Sequence, residues 1–118
     1  MWKLTDAVEK LMKHYPYRSQ EKTASENVII PVKLFDLWWT IRWWLSEYDP
    51  ESKVAFGYVT GFYEDEWGTV SIEELEQLEL VIDIEDFWKI WKIPRVEIDA
   101  SHTRTKFKDL PFNKDNSK

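Results

Sequence analysis

The chain has 118 residues and a formal net charge of −6, with 43% hydrophobic and 16% aromatic residues and no cysteine. This length and apolar content indicate one globular domain with a hydrophobic core and exclude a disordered chain. The lack of cysteine excludes disulfides and thiolate metal sites. The acidic charge argues against direct nucleic-acid binding, because duplex-binding proteins carry a basic surface.

Location and domain limits follow from the distribution of apolar residues. No stretch approaches the roughly 20 apolar residues that span a bilayer, and the amino terminus lacks the apolar run of a secretory signal. We therefore predict a cytoplasmic protein without membrane contact. A single domain is expected over residues 1–112, and residues 113–118 are predicted to be a frayed polar tail.

The first predicted element is an amphipathic helix over residues 5–14. Apolar residues recur there at helical spacing, Thr5 has the chemistry of an N-cap, and Pro16 ends the pattern. A polar loop follows over residues 16–26. The next apolar run begins at Val28, and Pro31 inside it indicates an edge strand or a bulge.

The aromatic centre of the chain predicts a three-stranded antiparallel meander over Val28–Phe35, Leu37–Tyr48 and Lys53–Tyr63. In the middle strand, alternation produces one more apolar face, which carries Trp39, Ile41, Trp43 and Leu45. The opposite face would carry Trp38, Thr40, Arg42, Trp44 and Ser46. A helix would instead align Leu37, Ile41, Trp44, Leu45 and Tyr48, but β-branched and aromatic enrichment favours the strand.

The carboxyl-terminal half begins with a helix over residues 72–78, since Ser71 and Glu74 have capping-box spacing. Residues 79–93 are ambiguous: their first part alternates like a strand, whereas residues 84–91 have helical spacing. Alternation at Val96, Ile98 and Ala100 predicts a last strand. The fold class is therefore α+β, with a mainly antiparallel sheet, an amino-terminal helix and a short helix after Ser71.

Several short motifs occur in a defined order along the chain: Leu4-Thr5, Pro16–Gln20, Val32–Phe35, Trp43–Asp49, Phe56–Gly61 and Glu66–Leu75. In this order and spacing the chain resembles domain-of-unknown-function family 2958, small proteins met mainly on plasmids, phages and other mobile elements. The resemblance implies a fold and a mobile-element setting, but no reaction, because the family carries no established activity. The segment 80–93 departs from the family pattern and is richer in tryptophan.

Metal and catalytic chemistry have little support in the sequence. His14 and His102 lack partners at ligand spacing, so we interpret both as surface or loop histidines. The cluster from Glu64 to Glu66 could hold a hard cation with Asp49, but adjacent carboxylates in a turn are more often solvated. No catalytic triad or phosphate-binding loop is present. We predict no metal and no cofactor, and we favour a non-enzymatic protein over an enzyme.

Three functions remain open. The first is a non-enzymatic interaction protein, used by a mobile element against a host protein. The second is a small-molecule or nucleotide-fragment binder with a Trp-lined pocket. The third is a hydrolase that uses Glu64, Glu66 or Asp49, and it requires two carboxylates that converge in a cleft.

The predicted binding site is the less apolar sheet face, where Arg42 is costly to bury. Large aromatic side chains beside it would form an exposed patch of the kind that marks interaction sites. Acidic residues at the rim would favour a basic or polar protein partner, and the oligomeric state stays open. The residues of this predicted site are Trp38, Arg42, Trp44, Tyr63, Glu64, Glu66 and Trp67.

Overall fold

The computed structural model describes residues 3–84 and 89–114. In these ranges the helices are α1 (Leu4–Leu11), α2 (Ile72–Gln77) and α3 (Pro111–Lys114). The strands are β1 (Ile29–Ile30), β2 (Val32–Asp36), β3 (Arg42–Asp49), β4 (Val54–Thr60), β5 (Glu66–Ser71), β6 (Glu79–Ile84), β7 (Lys89–Pro94), β8 (Val96–Ile98) and β9 (Thr105–Lys106). No helix in the described ranges is long and apolar enough to cross a membrane.

The centre of the fold is a five-stranded sheet in the order β5-β4-β3-β2-β8, with every neighbouring pair antiparallel. The predicted α+β class and the β2-β3-β4 meander are confirmed. Pro31 separates β1 from β2, because proline cannot donate to a strand ladder. Strand β1 then pairs with β9 in a separate two-stranded ladder.

One face of the main sheet packs against the two longer helices. Its core contains Trp43 and Leu45 of β3 with Leu34 of β2. Helix α1 contributes Val8 and α2 contributes Ile72, and both side chains are fully buried. The prediction that the face of Trp43 and Leu45 takes the core is therefore confirmed.

The opposite face is also covered, which the sequence analysis did not predict. Trp44 packs there with Val28, Ile30 and Leu110 in a second core. Its indole nitrogen donates a hydrogen bond to the Thr60 hydroxyl at 3.0 Å. The partly buried aromatic residues around this core are Tyr58, Trp67, Phe107 and Phe112.

The bounds of three predicted elements need correction. Strand β4 ends at Thr60 rather than at Tyr63, so Tyr63 lies in the turn that follows. Strand β3 starts at Arg42 rather than at Leu37, and residues 37–40 form a turn. Helix α1 covers Leu4–Leu11 rather than 5–14. Lys3 occupies the N-cap position, and Thr5 lies inside the helix, where its amide and hydroxyl both donate to Glu76 of α2, at 3.0 and 2.9 Å. The Thr5 side chain therefore bonds a residue of α2 and does not cap its own helix.

The helix after Ser71 is confirmed: the Ser71 hydroxyl accepts a hydrogen bond from the Glu74 amide at 3.2 Å.

Strands β6 and β7 form an antiparallel hairpin. The helical alternative for residues 84–91 is therefore wrong from Lys89 onward, whereas residues 85–88 lie outside the described ranges. Asn113 and Lys114 of the predicted tail belong to α3, and residues 115–118 also lie outside the description.

Candidate functional site

Two turns at the same end of the main sheet carry a group of exposed aromatic side chains. The β2–β3 turn spans residues 37–40 and the β4–β5 turn spans residues 61–65. Both hairpins are antiparallel and adjacent, so their turns meet at one end of the sheet. Trp38 is 74% exposed and Tyr63 is 90% exposed. We call this region the aromatic end, and define it as Leu37, Trp38, Trp39, Phe62 and Tyr63.

Asp36 holds the first turn in place. Its buried carboxylate accepts hydrogen bonds from the amides of Trp38 at 2.8 Å and Trp39 at 3.2 Å. It also pairs with the Arg95 guanidinium, with both Nε and Nη2 at 3.0 Å from its oxygens. Burial acts to raise the pKa of Asp36, but the hydrogen bonds from Arg95 and the two amides outweigh it and lower that pKa.

The second turn is docked on the first. The Thr40 hydroxyl donates a hydrogen bond to the Gly61 carbonyl at 2.9 Å. The Trp39 and Phe62 rings meet edge to face, with centroids 6.3 Å apart. Gly61 has φ +85°, and a Cβ there would lie 2.1 Å from the Thr40 carbonyl oxygen. Only glycine fits this close approach, so the two turns form one pre-organised unit.

Charged residues flank the aromatic end. The Arg42 guanidinium donates to the carbonyls of Trp39 and Ile41 at 3.1 and 2.9 Å, which holds its charge beside the first turn. The exposed acidic run Glu64, Asp65 and Glu66 follows Tyr63 directly. The Asp65 carboxylate accepts a hydrogen bond from the Gly61 amide at 3.3 Å. The rim of the aromatic end is thus mainly acidic.

The structure brings together part of the predicted site. Trp38, Tyr63 and the acidic residues Glu64 and Glu66 lie at the aromatic end, and Arg42 lies beside it. The expectation that Trp44 is exposed is wrong: it is 5% exposed and belongs to the second core. Trp67 is half-buried in the same core, 5.2 Å from the Tyr58 ring.

The sequence analysis missed Trp39 and Phe62 as exposed residues. Trp39 was placed on the core face because the strand was expected to start before it. The signal that could have found the turn is Asp36, since an aspartate that ends an apolar run often caps a turn through its side chain. Here its carboxylate bonds the amides two and three residues further on.

Asp49 does not converge with the acidic run Glu64 to Glu66, with which it was proposed to act. Asp49 pairs in register with Val54 at one end of β4, and Glu66 pairs with Val59 near the other end. Five residues of extended strand separate these positions by roughly 17 Å. The Asp49 carboxylate accepts from the Glu51 amide and the Ser52 hydroxyl, a turn-capping role. No metal-binding cluster of His, Cys, Asp or Glu occurs among the described residues.

The sequence predicts that both histidines are surface or loop residues. His102 lies with Nε2 2.8 Å from the Ile30 carbonyl oxygen and its ring 5.9 Å from that of Trp44. It therefore packs at the edge of the second core. His14 is exposed after α1.

A family profile described as protein of unknown function, DUF2958, matches residues 4–86. The chain belongs to this family. The DUF2958 match contains both turns of the aromatic end and the acidic rim. It ends before β7 and β8, so Arg95, which anchors Asp36, lies outside it. Comparison with curated proteins and with solved structures found no match.

Proposed function

We propose that this DUF2958 protein is a non-enzymatic binding module whose aromatic end docks onto another protein. The observation that carries the proposal is the exposure of Trp38 and Tyr63 on turns that hydrogen bonds already hold in place. Tryptophan and tyrosine contribute much of the binding energy of many interfaces. A turn whose backbone is already fixed loses little conformational entropy on binding, which favours affinity.

The acidic rim defines the chemistry of the partner. Glu64, Asp65 and Glu66 border the aromatic end, and the whole chain has a net charge of −6. A partner with an apolar recess surrounded by lysine or arginine would complement both features. A second copy of this chain is a poorer occupant, because two acidic rims would repel. From the family resemblance, we propose a cytoplasmic host protein as the partner and a mobile element as the source.

The proposal is tested by affinity capture from a host lysate with three forms of the protein. The wild type is compared with Trp38→Ala/Tyr63→Ala and with a control, Leu11→Ala/Val81→Ala, which removes exposed apolar side chains elsewhere. We expect one partner to be held by the wild type and the control but lost by the aromatic variant. Its binding should weaken as salt rises, because the rim is charged.

Other outcomes contradict the proposal. Equal capture by all three forms would show that the aromatic end is not the interface. Concentration-dependent dimers in analytical ultracentrifugation, abolished by Trp38→Ala/Tyr63→Ala, would make a second copy the occupant. Circular dichroism and unfolding curves of each variant separate loss of binding from loss of folding.

A further inference from the structure

A cleft of about 370 Å³ lies on the second face of the main sheet, and none of the five residues of the aromatic end lines it. The polar loop that precedes β1 forms one wall, with Tyr17 and Arg18 at its rim. Strands β3, β4 and β5 form the other wall, through Glu47, Phe56 and Trp67. The volume is in the range of small-molecule sites.

The wall from the sheet carries two aromatic side chains, Phe56 and Trp67. The rings of Phe56 and Trp67 are stacked, with centroids 5.8 Å apart and planes within 9° of each other. Both side chains are half-buried, so part of each ring faces the cleft. Such a surface attracts cations over its π faces and accepts planar groups in stacked contact.

A buried carboxylate lines the same cleft. Glu47 is 5% exposed and lies where a bulge shifts the register of β3 against β4. One of its oxygens accepts from the Arg18 amide at 2.8 Å and the other from the Gln20 amide at 3.0 Å. Arg18 reaches this geometry with φ +71°, a conformation that is uncommon outside glycine. The loop backbone therefore holds the carboxylate in one orientation.

The Glu47 carboxylate has no cationic partner among the described residues. The ion pairs found there join Lys33 to Asp99, Lys53 to Glu73, and Arg95 to Asp36. The nearby Arg18 guanidinium lies over the Tyr17 ring, 5.6 Å from its centroid. A carboxylate has about four acceptor positions, and the two amides use only two of them. Buried carboxylates are ordinarily paired with a cation, so Glu47 is suited to accept one from a ligand.

We propose that the cleft binds a guanidinium group, with Glu47 as its counter-charge and with Phe56 and Trp67 as its stacking surface. Guanidinium is planar, stays charged, and donates two parallel hydrogen bonds to a carboxylate. It also stacks on aromatic rings better than a hydrated ammonium does. The group could come from a free small molecule or from an arginine side chain of a peptide.

The test begins with the wild-type protein and two free compounds. Agmatine carries a guanidinium, and N-carbamoylputrescine is its neutral urea counterpart of nearly the same shape. Binding is followed by calorimetry and by tryptophan fluorescence. We expect agmatine to bind at least tenfold more tightly. Equal affinity for the two compounds would overturn the proposal. The proposal would also be overturned if the protein bound neither compound and no arginine-containing peptide.

Peptides distinguish the two sources of the group. A short arginine-containing peptide is compared with the same peptide containing citrulline. Tighter binding of the arginine peptide than of agmatine would identify a protein side chain as the source, and the reverse would identify a free small molecule. In either case, the proposal requires that the citrulline peptide binds at least tenfold more weakly than the arginine peptide.

Variants locate the site. Glu47→Gln should weaken agmatine binding at least tenfold, and Phe56→Leu should weaken it severalfold while retaining the fold. Trp38→Ala/Tyr63→Ala is the matched control and should bind as the wild type does. If agmatine binding were lost in Trp38→Ala/Tyr63→Ala but kept in Phe56→Leu, the binding site would lie at the aromatic end and not in the cleft.

Discussion

Trp38 and Trp44 belong to the same tryptophan-rich stretch but lie in opposite environments. Trp38 is on a turn, where Asp36 fixes its backbone and leaves its ring in solvent. Trp44 is on β3, with the rings of Phe112 and His102 packed edge-on against it at 5.2 and 5.9 Å. The amino group of Lys33 lies 4.8 Å from the Trp44 ring centroid. One tryptophan is available for binding and the other stabilises the fold.

Trp44→Ala is expected to lower the free energy of unfolding by about 3–5 kcal/mol, because it leaves a cavity in the second core and an unpaired Thr60 hydroxyl. Trp38→Ala should change it by less than about 0.5 kcal/mol, since the side chain buries little area. Urea unfolding curves of both variants measure the difference. Similar values for the two substitutions would contradict the separation of roles.

Ser71→Ala is expected to lower the free energy of unfolding by about 1 kcal/mol, because the Glu74 amide loses its hydrogen-bond acceptor at the start of α2. Ser71→Asp is the control, since aspartate also accepts at an N-cap position. Chemical denaturation should therefore place Ser71→Asp near the wild type. If the alanine variant matched the wild type as well, the cap would contribute nothing.

At the scale of elements, two glycines face each other across β4 and β5 with different surroundings. Gly57 and Gly68 are direct partners in the ladder. A Cβ on Gly57 would lie 2.3 Å from the Trp44 carbonyl oxygen and 2.9 Å from the Leu45 Cα, next to the β3 bulge. A Cβ on Gly68 would meet nothing within 4 Å. The close packing of β3 on β4 therefore depends on one glycine of the pair.

Gly57→Ala is expected to cost about 1–3 kcal/mol of stability, because backbone atoms of β3 would have to move. Gly68→Ala should stay within about 0.5 kcal/mol of the wild type or stabilise the strand, since alanine restricts the unfolded chain. Thermal unfolding of the two variants under identical conditions makes the comparison. A larger loss for Gly68→Ala would contradict the open space beside Gly68.

Strand β8 is tied to β2 by an ion pair that depends on pH. The Asp99 carboxylate lies 3.0 Å from Lys33 Nζ, and the Asp99 amide donates to the Lys33 carbonyl at 2.9 Å. Hydrogen bonds from the Ser101 hydroxyl and from Lys33 lower the pKa of Asp99 from 3.8 to about 2. The folded-state pKa is depressed, so the stabilisation is complete above pH 4 and is lost as pH falls toward 2.

Asp99→Asn should therefore destabilise the protein more at pH 6 than at pH 2, by up to about 2 kcal/mol. Urea unfolding of the wild type and the variant across this range measures the change. Glu73→Gln removes the exposed partner of Lys53 and serves as the control, for which a smaller loss of stability at pH 6 is expected. A pH-independent effect of Asp99→Asn would contradict the role of the ionised pair.

At the scale of the molecule, the sheet has two cores, and the carboxyl-terminal segment closes the second one. Leu110 is fully buried, and the rings of Phe107 and Phe112 lie 4.9 and 5.6 Å from that of Tyr58. The segment is held by the Phe107 amide, which donates to the Val28 carbonyl at 2.8 Å. This cover lies beyond the DUF2958 match at residues 4–86.

A chain that ends at Arg104 is therefore expected to be less stable than the full chain and to expose Trp44. Its tryptophan emission should shift to longer wavelength, and it should bind a hydrophobic dye, because the second core opens to water. A chain that ends at Lys114 retains the cover and is the control. Unchanged emission and unfolding in the shorter form would show that the segment is dispensable.

The sequence by itself determined the elements whose signals are local. The helical spacing before Pro16, the alternation of Trp43 and Leu45, and the cap at Ser71 each lie within one element, so the α+β fold, the meander and the core face could be predicted. The helix termini of α1 could not, because Thr5 bonds Glu76, a residue far away in the chain.

Only the tertiary structure decided which aromatic residues face water. Alternation separates the two faces of a strand, but it does not show whether a distant segment covers the second face. The burial of Trp44 depends on Leu110, and the exposure of Trp38 depends on a turn that Asp36 and Arg95 hold together. The cleft at Glu47 likewise requires a loop, a bulge and two further strands to meet. Contacts between residues far apart in the chain set burial, and no local pattern contains them.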